Sequence, residues 1–195
     1  MEKLEKQRKI AALIAKIDSC KRCSLAKTKT RSVPGEGDID SEVMFIGEAP
    51  GANEDLQGKP FVGRAGDIFT RLLGEIGLTR EQIYLCNILK CRPPDNRNPL
   101  PGEIAACQGS LDLQIKIIAP SIICTLGKFS TEYIFNKYGL PLEKISSLHG
   151  KLYKASTENG EKTILPLFHP AVAVYDINKY GVLKKDIEIL GKLLT

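Results

Sequence analysis

The sequence predicts an α/β protein, a three-layer α/β/α sandwich around a four-stranded, mainly parallel sheet. Short apolar runs of strand length recur at residues 42–47, 83–89, 121–126 and 163–168. They are apolar throughout rather than alternating, which is the pattern of strands covered on both faces. The longer segments between them carry helical periodicity and can supply those covers.

Taken in order, residues 2–18 place Leu4, Ile10, Leu13, Ile14 and Ile17 at near-helical spacing, so an amphipathic helix ends before Cys20. Residues 24–41 form a basic connection to the strand at 42–47. The stretch from Ala49 to Gly66 is polar, glycine-rich and too long for a tight turn, which marks it as functional. A helix over 67–76 is closed by Gly77, and a strand follows at 83–89. Pro93, Pro94, Pro99 and Pro101 surround an Asp-Asn-Arg-Asn run and make 91–102 a loop. A helix over 103–118, a strand over 121–126 and a helix over 127–138 come next. Residues 151–156 suit a short edge strand, 163–168 an edge-like strand because of Pro166, and 178–194 a closing helix. With no internal repeat or low-complexity tract, residues 1–195 read as one domain.

No apolar run approaches the ~20 residues of a membrane span. The charged opening Met1-Glu2-Lys3-Leu4-Glu5-Lys6 lacks the apolar core of a signal peptide. A cytoplasmic location is expected, where disulfides are uncommon. Six cysteines then suggest metal ligation, catalysis or burial. The charge is uneven: residues 1–31 hold ten Lys/Arg against three Asp/Glu. Such a stretch either binds phosphate backbones through counterion release or is the solvated face of a helix.

Cys20 and Cys23 form a C-x2-C pair, and Cys91 and Cys107 follow from a distant segment. Four thiolates from two segments can converge on a tetrahedral metal or on a cubane cluster, and spacing alone does not separate zinc from iron–sulfur. Cys86 and Cys124 sit inside apolar strands, where a free cysteine behaves as a small hydrophobe. Two further loops stand out. Gly47-Glu48-Ala49-Pro50-Gly51 and Phe168-His169-Pro170-Ala171 each follow an apolar strand. In an open parallel sheet, ligands bind outside the carboxyl ends of the strands, so both loops face one crevice.

These two loops, together with Glu54-Asp55-Leu56-Gln57-Gly58-Lys59-Pro60-Phe61-Val62-Gly63, resemble the signature motifs of the family 4 uracil-DNA glycosylases. The resemblance runs from Cys20 to about Tyr175. It implies a four-stranded α/β/α sandwich, a [4Fe–4S] cluster on Cys20, Cys23, Cys91 and Cys107, and hydrolysis of the N-glycosidic bond of uracil in DNA during base excision repair. The expected partner is uracil-containing DNA, single- or double-stranded, bound by a monomer, with replication or repair proteins as further partners.

By the same resemblance, Phe61 stacks on the extruded base and Asn87 reads its edge. Uracil offers an acceptor at O4 and a donor at N3, which a fixed amide matches and cytosine reverses. His169 is implied to stabilise the charge left on the uracil. Gly47, Glu48 and Ala49 match the pocket wall. Family 1 enzymes carry a water-orienting aspartate where this chain has Ala49, so Glu48, Glu54 and Asp55 are the carboxylates left for that task. Family 1 also excludes the thymine methyl with a tyrosine where this chain has Gly51, and Glu54 is expected to replace it. Pro170, Ala171, Val174 and Tyr175 fall in the wedge that fills the gap left by the flipped base, although Val174 and Tyr175 replace a Leu-Arg ending common among relatives. The main alternative is a non-catalytic, metal-stapled nucleic-acid-binding protein. An electron-transfer iron–sulfur protein would explain the cysteines alone.

Overall fold

Along each central strand the side chains divide between two cores. Met44 and Ile46 join one, with Tyr84, Cys86, Ile123 and Ile164. Val43 and Phe45 join the other, with Leu85, Cys124 and Leu165. This period-2 division is what a strand covered on both faces must show. The strands appear in a computed structural model that describes residues 2–157 and 160–194. They are β1 (Glu36–Gly37), β2 (Val43–Gly47), β3 (Tyr84–Asn87), β4 (Ile122–Leu126), β5 (Tyr153–Thr157) and β6 (Gly160–Leu167).

Their order across the sheet is β1-β3-β2-β4-β6-β5. The inner four are parallel, and β1 and β5 pair antiparallel at the two edges. The expected four-stranded sheet is therefore the parallel centre of a six-stranded one. β1 has only two residues, too few to leave a periodicity in the sequence. The expectation that Pro166 marks an edge strand is corrected: β6 lies inside the sheet, with Pro166 level with Thr125 of β4. Its missing N–H is tolerated because pairing with β5 reaches only to Ile164. Past that point the Pro166 carbonyl accepts from the Gly150 N–H at 2.9 Å.

The helices are α1 (Lys3–Asp18), α2 (Ala52–Gln57), α3 (Arg64–Glu75), α4 (Pro101–Ile118), α5 (Lys128–Tyr138), α6 (Ile145–Leu148), α7 (Val172–Tyr175) and α8 (Tyr180–Leu193). Ile10, Leu13 and Ile17 of α1, Leu111 and Ile115 of α4, and Ile134 and Phe135 of α5 cover one face. Phe69, Leu72 and Leu73 of α3 and Leu183, Ile187 and Leu190 of α8 cover the other. Among the described residues no helix is long and apolar enough to cross a membrane.

The long loop after β2 is partly helical. α2 is stopped by Gly58, whose φ of +72° suits the left-handed C-cap. α3 starts earlier than periodicity suggests, because Glu54 Oε1 accepts from the N–H groups of Val62 and Gly63 at 3.0 Å each and organises the helix entry. The short helices α6 and α7 were not expected; four residues carry no detectable period.

Phe69 joins these levels. Its ring meets Phe45 of β2 edge-on at 4.9 Å and Phe61 at 5.3 Å. Phe69→Ala should destabilise the fold by about 3–5 kcal/mol. A lowered denaturation midpoint with an unchanged slope is the expected result, and a loss under about 1 kcal/mol would show that this core repacks freely.

Candidate active site

The carboxyl ends of β2 and β3 lie side by side, with Gly47 level with Asn87. A Cβ on Gly47 would overlap Asn87 Oδ1 and come within 2.8 Å of Phe61 Cζ. The missing side chain is what lets an amide and an aromatic ring meet above the sheet end. Asn87 is 2% exposed. Its backbone carbonyl accepts from Lys90 Nζ at 2.6 Å, whereas its side-chain amide makes no hydrogen bond among the described residues. Among the described residues no side-chain polar atom that is wholly out of contact with solvent lacks a partner, so the unbonded amide keeps its small exposed surface in the cavity it lines.

That cavity is walled by Glu48, Ala49, Pro50 and Gly51 after β2, Glu54 of α2, Phe61, Asn87, and His169, Ala171 and Tyr175 after β6. The Phe61 and His169 rings stack at 5.5 Å and 26°. This separation leaves no room for a third ring between them, so a planar ligand cannot enter between the two rings. His169 Nδ1 accepts from the Ala171 N–H at 3.1 Å, which assigns the proton of the neutral ring to Nε2. Burial pushes its pKa down to about 4, with Glu54 pulling weakly the other way. The histidine is therefore a neutral donor at physiological pH.

The two carboxylates differ. Glu54 is held by the backbone at Val62 and Gly63. The side chain of Glu48 has no hydrogen bond among the described residues, and burial raises its pKa. A half-buried carboxyl with a raised pKa, in the same cavity as a neutral imidazole, can take a proton from water while the imidazole N–H faces developing negative charge.

Of the expected wedge residues, Tyr175 stands 87% exposed at the rim. Ala171 lines the cavity, Val174 is half-buried, and Pro170 is buried beneath the turn. Asp55 points away, accepting from the N–H groups of Thr30 and Arg31. Sequence reasoning missed Pro93, Asn96, Arg97 and Asn98, which close the cavity from the loop after β3. Arg97 makes a two-pronged ion pair with buried Glu103, at 2.9 and 2.6 Å, that fixes this loop. The signal for them in the sequence is the Asp-Asn-Arg-Asn run between prolines.

Cys20, Cys23, Cys91 and Cys107 line a second cavity, between the end of α1 and α4. Among the described residues no trio of His, Cys, Asp or Glu side chains closes on one ion-sized point. All six cysteines are free thiols. Burial pushes the Cys91 thiol up to about 11 and raises Cys107. At Cys20 burial is outweighed by hydrogen bonds from Arg22, and the thiol is held below its ordinary value. Cys86 and Cys124 are fully buried in the strands, as expected.

The profile of the uracil DNA glycosylase superfamily matches residues 34–187. The chain is 47% identical to the Type-4 uracil-DNA glycosylase of Sulfurisphaera tokodaii, over 90% of this chain and 80% of that protein. Identity to the Type-4 uracil-DNA glycosylase of Saccharolobus solfataricus is 45%, over 92% and 83%. For that of Archaeoglobus fulgidus it is 41%, over 93% and 91%.

Gly47→Ala tests the close approach at the sheet end. The added methyl must push Asn87 and Phe61 apart, and overpacking of this kind costs about 1–3 kcal/mol. A thermal melt should show that loss; a melt equal to the parent would mean that the two side chains have free space to move.

Proposed function

The chain belongs to the uracil DNA glycosylase superfamily and to its type-4 branch, and we infer that it removes uracil from DNA by hydrolysing the N-glycosidic bond, leaving an abasic site for base excision repair. The observation that carries this reading is the convergence of Phe61, Asn87, His169 and Glu48 in one cavity at the carboxyl ends of the parallel strands.

A base inside a duplex must be extruded before its glycosidic bond can be reached. Phe61 offers the extruded uracil a stacking face, an interaction of ~1–3 kcal/mol per base. The uncommitted amide of Asn87 donates to O4 and accepts from N3–H, which selects against cytosine. The bond from C1′ to N1 breaks with its electron pair on the uracil, whose charge at O2 is met by His169 Nε2–H. Water supplies hydroxide to C1′, and Glu48 takes its proton. Glu48 fits that role better than Glu54, whose Oε1 is occupied by two backbone donors. Glu54 Oε2 lies instead against Gly51, where it narrows the pocket beside the base and suits exclusion of the thymine methyl. We assign Tyr175, with Ala171 and Val174, to the duplex gap, a role that the exposure of Tyr175 supports, with Pro170 holding their turn through its carbonyl, which accepts from the Ala173 N–H.

The second cavity suits a [4Fe–4S] cluster on Cys20, Cys23, Cys91 and Cys107. Four thiols among its lining residues match the donor set, and Arg22 and Lys90, which line the same cavity, would offset the charge of a thiolate-bound cluster. Such a cluster would tie α1 to the loop after β3; nothing in the hydrolysis requires electron transfer. The enzyme needs no second subunit to grip one lesion, so a monomer is expected.

The direct test is release of free uracil from a uracil-containing oligonucleotide, with an alkali-labile site left behind. Binding without release would favour the binding-module alternative. Within the reaction, His169→Ala should slow single-turnover cleavage by about 10²–10³-fold while abasic-site DNA still binds normally. The acid limb of the pH–rate profile should follow Glu48: its carboxyl must be ionised to act as base, so the rate falls as pH drops through a pKa raised above 4.5 by burial. His169, neutral down to about 4, should add no inflection near 6.5. A midpoint near 6.5 that vanishes in His169→Ala would reverse these roles.

Metal content tests the cluster. Cys20→Ala or Cys107→Ala should lose bound iron, visible absorbance and much of the stability, because ligation is coupled to folding. Cys86→Ala should keep both iron and colour. A bleached Cys86→Ala with a coloured Cys20→Ala would overturn the ligand assignment.

A further inference from the structure

Phe61 is held in a conformation that its own backbone resists. Its φ of 53° lies in the left-handed region, where a residue bearing a Cβ is strained. Strain of this kind persists only where the surroundings over-determine it. Two of the supports are local. Gly66 leaves room where a Cβ would run into the Phe61 carbonyl. Glu54 gathers the next two N–H groups of the chain.

The third support is Arg80, in the turn between α3 and β3. Its Nη2 donates to the Pro60 carbonyl at 2.6 Å, and its Nη1 to the Phe61 carbonyl at 3.0 Å. Nη2 also pairs with Glu36 Oε1 of β1 at 2.7 Å. One planar guanidinium thus collects two successive carbonyls from behind the turn and is itself anchored to the sheet edge. Arg80 does not line the cavity that holds Phe61; it lies in a neighbouring surface groove with Glu36, Gln57, Lys59 and Val62.

We propose that Arg80 is a positioning residue for base excision. It fixes the plane of the Phe61 ring, and through the stack of that ring on His169 it holds the two groups in register. The proposal rests on the reading of Phe61 as the stacking platform. A lysine would keep the charge but not the planar fork that bridges two carbonyls.

The experiment is a double-mutant cycle read by single-turnover excision, with abasic-site DNA binding and thermal melting measured beside it. Displacing a catalytic group by 1 Å can cost ~10²-fold in rate, so Arg80→Ala should slow the wild-type enzyme by about tenfold or more. In a Phe61→Ala background the same change should cost less than about twofold, because the group that Arg80 positions is already gone. Arg80→Lys should also be slow, and it carries the test if Arg80→Ala fails to fold. Losses that simply multiply in the double mutant, accompanied by weaker and less salt-dependent DNA binding, would make Arg80 a phosphate contact instead. Full-rate excision by Arg80→Lys would overturn the proposal too. Failure of the wild-type protein to release uracil would instead sink the glycosylase reading itself.

Discussion

The parallel pairing of β2 with β3 brings Gly47 level with Asn87 at the point where both strands leave the sheet. That register does more than build a sheet. Above it the Asn87 amide and the Phe61 ring occupy the space that a Cβ at Gly47 would fill. A slip of one residue would turn Asn87 to the other face of the sheet. The placement of Asn87 and the fold therefore share one constraint, and the cores on the two faces of the sheet hold it from both sides.

Burial acts on Glu48 and His169 in the same sense. It disfavours charge, and so raises the carboxyl of Glu48 and lowers the imidazole of His169. The result is a neutral imidazole whose one fixed N–H donor is free to face a departing anion. Lys90 connects this recess to the cysteine cavity. It lines the latter while its ammonium grips the Asn87 carbonyl and Gln114 Oε1. Gln114 in turn donates to the Pro34 carbonyl and to the Tyr84 hydroxyl. Asn87 is thus braced by the region where the four cysteines gather.

The parallel core, its covering helices and the two motif loops were legible in the sequence, because continuous apolar runs and helical periods are strong signals. β1 was not, since two residues carry no period. Pro166 misled because a proline forbids one hydrogen bond, not a place inside a sheet, and β5 stops short of it. In the site, Phe61, Asn87, His169 and Glu48 were legible through motif resemblance, and the structure brings them to one cavity. The distinction between Glu48 and Glu54 was hidden, because it depends on which carboxylate meets the backbone amides of Val62 and Gly63. Arg97 and Arg80 were hidden for a related reason: each works through carbonyl or carboxylate partners that only the folded chain brings near.

Phe61 belongs to the hydrophobic core as much as to the cavity. It is 6% exposed and packs on Phe69, which packs on Phe45. Its rotational freedom is therefore surrendered when the chain folds, not when DNA arrives. Fixing a loose aromatic side chain during association would cost about 0.5–1.5 kcal/mol. A ring frozen in advance spares the encounter that entropy, and the saving grows with temperature as the −TΔS term does. The same arrangement makes the ring slow to evolve: a substitution that reshapes the stacking face must also be accommodated by the core of a whole layer.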